Sequence, residues 1–122
     1  MVKQFILLSI LVCVVSACAS SLDASYLPGF WKTVEWKVVS SGQVIDNQMD
    51  FLFTTNDRYA VDYGSQREKG SFYLAGEYLH TKEDGALEKS VRVTKLTMDS
   101  MIFEMNRAGS IEVVTLIKVP QD

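Results

Sequence analysis

An all-β fold, built as an eight-stranded antiparallel up-and-down barrel, is the architecture this 122-residue sequence predicts. Three observations lead there. Short runs rich in Val, Thr, Tyr, Phe and Ile follow one another from Phe30 to Val119, and these residue types suit a pleated, half-buried surface. Turn residues interrupt the runs at hairpin spacing. Within the runs, apolar and polar positions alternate with period two, so each has one dry face and one wet face. An open meander of this kind would expose two edges and a greasy surface. Closing it into a barrel removes both. A two-sheet sandwich is the alternative.

The first element is a leader. Lys3 precedes an apolar run from Phe5 to Val15, and small residues then lead to Cys18. This is the three-part layout of a secretory signal, and it predicts a cleaved signal helix in residues 1–17. The run is shorter than the ~20 residues that cross a bilayer, which disfavours a transmembrane anchor. Val15-Ser16-Ala17-Cys18 resembles the lipobox of bacterial lipoproteins. The resemblance implies that Cys18 is acylated and becomes the first mature residue. Ala17-Cys18-Ala19 also fits an ordinary A-x-A-like cleavage site, which leaves export without lipid open. Cys13 lies inside the leader, so the exported chain would hold no free thiol and no disulfide. Residues 18–28 are small and polar and read as a flexible tether, with a short helical turn near Ser21–Leu27. The remainder, 29–122, is one domain, large enough for a core.

The strands follow in order. They are expected at Phe30–Val39, Val44–Thr54, Arg58–Tyr63, Glu68–Leu74, Tyr78–Lys82, Leu87–Leu96, Ser100–Asn106 and Ser110–Val119. Ser40-Ser41-Gly42, Thr55-Asn56-Asp57, Tyr63-Gly64-Ser65, Ala75-Gly76, Glu83-Asp84-Gly85, Met98-Asp99 and Arg107-Ala108-Gly109 supply the turns, since Asn, Asp and Gly tolerate the backbone that tight turns require. Pro28 and Pro120 fall outside the strands, where a missing N–H costs nothing. Alternation predicts that Val34, Trp36 and Val38 share one face of the first strand. In the second, Met49, Phe51 and Phe53 do so, and in the seventh Met101, Phe103 and Met105.

Several motifs then fall in a telling order. Leu27-Pro28-Gly29-Phe30-Trp31 opens the first strand with Gly-x-Trp. Phe51-Leu52-Phe53 with Arg58-Tyr59 comes next. Gly70-Ser71-Phe72-Tyr73-Leu74-Ala75-Gly76 and Leu96-Thr97-Met98-Asp99-Ser100-Met101 follow. Over residues 27–119 the chain resembles the small lipocalin-like domain lipoproteins of the Bacteroidota type. That resemblance implies a lipocalin-like barrel tethered by lipid. Larger lipocalins pack a last-strand Arg over the Gly-x-Trp tryptophan; here the last strand offers Lys118, and Arg107 stands before it in a turn. Their later Thr-Asp-Tyr motif is missing, and Val61-Asp62-Tyr63, which is similar to it, comes too early. The fold therefore carries over further than the transport function. Ala19 after Cys18 is not the Asp that retains many lipoproteins in the inner membrane, so the resemblance favours the outer membrane, facing the periplasm.

Catalysis is not expected. His80 is the only histidine, and no Gly-x-Ser-x-Gly elbow accompanies it. One histidine is too few for zinc, and Glu83-Asp84-Gly85 offers too few oxygens for calcium. No catalytic residue, metal or cofactor is assigned. Losing residues 1–17 removes only Lys3 among charged residues, so the exported chain is one unit more negative than the −3 of the whole. It carries no basic cluster, which argues against nucleic acid.

Aromatic residues are the candidate binding feature. Trp36, Phe51, Phe53, Tyr59, Phe72, Tyr78 and Phe103 fall on alternating positions, with Met49, Met101 and Met105 among them. An eight-stranded barrel either fills its interior with side chains or holds one small ligand. Trp31 is expected as a plug at the closed end. The expected function is non-covalent binding of a small apolar or amphipathic molecule by a monomeric barrel in the cell envelope. The alternative is a protein-interaction module or inhibitor with a filled barrel and an envelope protein partner.

Overall fold

The computed structural model describes residues 22–120; the leader and Cys18 lie outside the described residues. The described chain forms a closed antiparallel barrel of β1 (Gly29–Val38), β2 (Asp50–Phe53), β3 (Arg58–Asp62), β4 (Arg67–Ala75), β5 (Tyr78–Glu83), β6 (Glu88–Leu96), β7 (Ser100–Arg107) and β8 (Ser110–Val119). Each strand pairs with the next, and β8 returns to β1. Closure leaves no free sheet edge, which removes the template for edge pairing. The sandwich is excluded.

Seven strands match the expected runs to within one residue at either end. The second does not. The sequence predicts it from Val44, but only Asp50–Phe53 is strand. Val44 makes a single bridge to Lys37, and Ile45 N–H donates to the Trp36 carbonyl at 2.8 Å. The chain then leaves the ladder at Asp46-Asn47, where the Asn47 side chain accepts from the Gln48 amide. Asx residues offer the backbone such a local alternative to a sheet. Buried Thr33 holds the departing segment. Its hydroxyl donates to the Met49 carbonyl at 2.7 Å and accepts from the Met49 amide at 3.2 Å.

The face predicted for β1 is also corrected. Register shifts between Thr33 and Glu35 against β8. A bulge adds one residue and inverts the alternation beyond it. Trp31 and Thr33 point inward before the bulge and Trp36 after it, while Val34 is exposed. A second bulge in β6, between Val93 and Lys95, likewise sends both Val93 and Leu96 inward. In β2 and β7 no bulge intervenes, and Met49, Phe51, Phe53, Met101 and Phe103 are all buried as the alternation requires.

The segment expected as a free tether is partly built into the fold. A 3-10 turn, Ala24–Tyr26, is capped by Asp23, whose side chain accepts from the Ser25 amide. Leu27 is fully buried beside Trp31. Its apolar side chain joins the core cluster, and its carbonyl accepts from Trp31 Nε1–H. This turn lies at the end of the barrel where β1 begins. The opposite end carries the β1–β2, β3–β4, β5–β6 and β7–β8 connections.

The β7–β8 connection is Ala108-Gly109, with both residues at positive φ (53° and 88°). Two-residue hairpins adopt this conformation to match strand twist, and Asn-Gly suits it best. Alanine at positive φ carries a steric cost that Asn eases. Ala108→Asn is expected to raise stability by about 0.5–1 kcal/mol, seen as a higher urea midpoint. A midpoint that falls would show that the turn is not strained.

Candidate functional site

The barrel interior is filled by rings at its centre and opens toward the end opposite Trp31. Phe51 stacks on Phe53 with centroids 5.5 Å apart, and Phe103 meets Phe51 edge-on at 6.0 Å. Phe72 packs edge-on to Phe53 at 4.9 Å. Between these rings and the open end lies a cavity of about 110 Å³. Its apolar wall is Phe51, Phe53 and Phe103 with Val61, Leu79 and Val91, and Met49, Met101 and Met105 complete it. Its polar end is made by Tyr59, Tyr63, Glu68, Thr81 and Lys89.

Four of the seven aromatic candidates, Phe51, Phe53, Tyr59 and Phe103, line this cavity. Three do not. Phe72 is buried behind Phe53 and faces the other end of the barrel. Trp36 is buried, but its Nε1–H donates to Glu112 Oε1 at 2.8 Å. Tyr78 lies on the outer surface, 45% exposed. Strand β5 turns Leu79 and Thr81 inward, so Tyr78 and His80 face out by parity.

Two buried carboxylates escaped sequence reasoning. Glu68 lies near the start of β4 and Glu112 near the start of β8, half the ring apart at the open end. The signal was available. Glu68, Gly70 and Phe72 share a face, as do Glu112, Val114 and Leu116, and an acid on an apolar face is rarely buried without partners. Glu68 Oε1 accepts from Tyr63 at 3.2 Å and from Lys89 Nζ at 3.2 Å; its Oε2 accepts from the Tyr59 hydroxyl. Glu112 accepts from Trp36 and from Arg107 Nη1 at 3.3 Å, and the Arg107 guanidinium stands 6.0 Å over the Trp36 ring.

Burial pushes the Glu68 carboxyl up, but hydrogen bonds from Tyr59 and Lys89 and the Lys89 charge outweigh it and hold the group below its ordinary 4.5. Burial, then the Glu68 hydrogen bond and charge, raise the Tyr59 phenol. Burial, then the Glu68 charge, push Tyr63 up to about 12. Both phenols therefore stay protonated and donate. A carboxyl depressed on folding binds fewer protons in the native state than in the unfolded one. Its stabilisation is present above 4.5 and lost as pH falls through the lower native value. Glu68→Gln is expected to flatten the acid limb of stability against pH. An acid limb identical to that of the wild type would exclude Glu68 as its source.

Elsewhere the chemistry is sparse. His80 stacks on Tyr73 at 4.5 Å, and its Nδ1 lies 3.2 Å from Glu88 without forming a hydrogen bond. The Glu83-Asp84-Gly85 turn spends Asp84 on a two-point pair with Arg58, at 2.7 and 3.2 Å. Among the described residues no three His, Cys, Asp or Glu side chains are grouped to hold a metal. No protein-family model matches the chain, and no curated protein matches it.

Proposed function

We propose that the protein is a lipid-anchored, lipocalin-like β-barrel of the cell envelope that binds a small apolar or amphipathic molecule non-covalently. The carrying observation is the cavity. It is mostly apolar, enclosed by ring faces, and has its few polar groups gathered at one end. Pockets with that division orient an amphipathic guest. The closed ring of strands, with no unpaired edge, supports a monomer. The lipobox resemblance at Val15–Cys18 supports acylation at Cys18, and Ala19 supports the outer membrane, facing the periplasm.

Native mass spectrometry on protein extracted from its host membrane tests both parts. The expected chain begins at an acylated Cys18 and retains a small molecule of one defined mass. An unacylated Cys18 would overturn the anchor. A protein that carries no guest and takes up no small aromatic or aliphatic compound would overturn the binding.

A second reading, a protein-interaction module, draws on exposed Val34 and Ile117 on neighbouring strands β1 and β8. Cross-linking in the host envelope through position 117 separates the two. A single protein adduct there, with an empty cavity, favours the interaction module.

A further inference from the structure

We propose that the cavity selects a compact, single-ring compound carrying a neutral hydroxyl, which it donates to the Glu68 carboxylate. This rests on the binding reading and adds the chemical class of the guest.

Size is the first argument. A dry engineered cavity of roughly 150 Å³ takes one benzene ring, and this one measures about 110 Å³. Met49, Met101 and Met105 line it, and methionine yields readily to a guest's shape. An extended acyl chain finds no room. Shape is the second. Phe51 and Phe53 lie within 5° of parallel, and Phe103 stands at 88° to Phe51. Ring faces and edges arranged this way favour a planar aromatic guest.

The head group follows from the direction of the hydrogen bonds. Tyr59 and Tyr63 both spend their protons on Glu68. What they show the cavity is oxygen lone pairs. A carboxylate offers about four acceptor sites, and three of Glu68's are taken, by Tyr59, Tyr63 and Lys89. The polar end thus offers acceptors on Glu68 and the two phenol oxygens beside donors on Thr81 and Lys89, and a hydroxyl, which both donates and accepts, can meet both. The Glu68 charge already has its partner in Lys89. A cationic guest would have to displace that lysine. An anionic guest would stand against the carboxylate, and like charges at such range disfavour each other. A neutral hydroxyl needs neither change.

Calorimetric titration of the purified full chain with 4-methylphenol, toluene and 4-methylbenzoate tests this. The three share a ring and differ in the head group. The expected order places 4-methylphenol about tenfold or more ahead of toluene, the scale of one hydrogen bond to a charged acceptor, with 4-methylbenzoate weakest. In Glu68→Met, which matches the side chain's length without its charge, the phenol's lead over toluene should vanish. Toluene equal to 4-methylphenol, or 4-methylbenzoate tightest, would overturn the head-group assignment and leave the binding reading intact. A phenol lead that survives in folded Glu68→Met would take the role from Glu68. No binding by any of the three would overturn the single-ring guest, and the binding reading falls with it only if native mass spectrometry also finds the protein without a guest. If Glu68→Met does not fold, the wild-type series decides alone.

Discussion

Gly70→Ala is expected to cost the protein about 3 kcal/mol or more and to lower its thermal midpoint by roughly 10–20 °C. Gly70 sits at a buried, inward position of β4, between Glu68 and Phe72. A Cβ built there would stand 1.9 Å from the Lys82 carbonyl oxygen and 2.8 Å from the Glu83 Cα. Those atoms are backbone of β5, which is bound to β4 along its whole length. They cannot turn aside as a side-chain tip can. One methyl group therefore forces two strands apart at a point where glycine admits close approach of a neighbouring strand. Ser71→Ala is the control, an exposed neighbour on the same strand, and should melt within about 2 °C of wild type. Thermal denaturation followed by circular dichroism reads both. Equal midpoints for Gly70→Ala and Ser71→Ala would mean that β5 moves freely and that the contact carries no strain.

The legible and illegible parts of this molecule divide along one physical line. Local periodicity is written into the sequence, so strand number, order and turn positions could be read from it. Met49, Phe51 and Phe53 point inward because nothing interrupts their alternation. A bulge leaves no such mark. Val34 looks like a core residue by parity, yet the register shift beside it turns it to solvent. The departure of the chain at Asp46-Asn47 was masked by Val44 and Ile45, which read as strand. Those two make backbone bonds to β1 without entering the ladder of β2. The site was half legible. Its rings were found because apolar alternation finds core. The inward parity of Glu68 is legible in β4, but its pairing with Lys89 is not, because it depends on a meeting between β4 and β6, two strands apart. Tyr78 was misassigned because aromatic character alone does not say which face of β5 it takes.

Trp31→Ala is expected to remove about 3–5 kcal/mol, the usual cost of deleting a large buried ring. Trp31 is wholly buried at the closed end, and two polar contacts hold it there. Its Nε1–H donates to the Leu27 carbonyl at 2.9 Å. The Lys118 ammonium stands 5.0 Å above the ring. The same ammonium donates to the Tyr26 carbonyl at 2.7 Å, so one lysine joins the last strand, the ring and the 3-10 turn. A series separates these contributions. Trp31→Phe keeps a ring but strands the Leu27 carbonyl and leaves part of the volume empty, and it should cost about 1–3 kcal/mol. Lys118→Ala removes only the cation and its hydrogen bond at a largely solvated site. It should cost about 0.5–1 kcal/mol. Urea unfolding of the three variants gives the order directly. If Lys118→Ala equals Trp31→Ala, the end is held by charge and not by burial, because only the lysine's contacts are common to both. If Trp31→Ala costs less than about 1 kcal/mol, well below the range for a buried aromatic, the turn at Ala24–Tyr26 is not seated on the barrel. Leu27 would then be free to leave, and the segment would revert to the flexible tether its polar residues suggest.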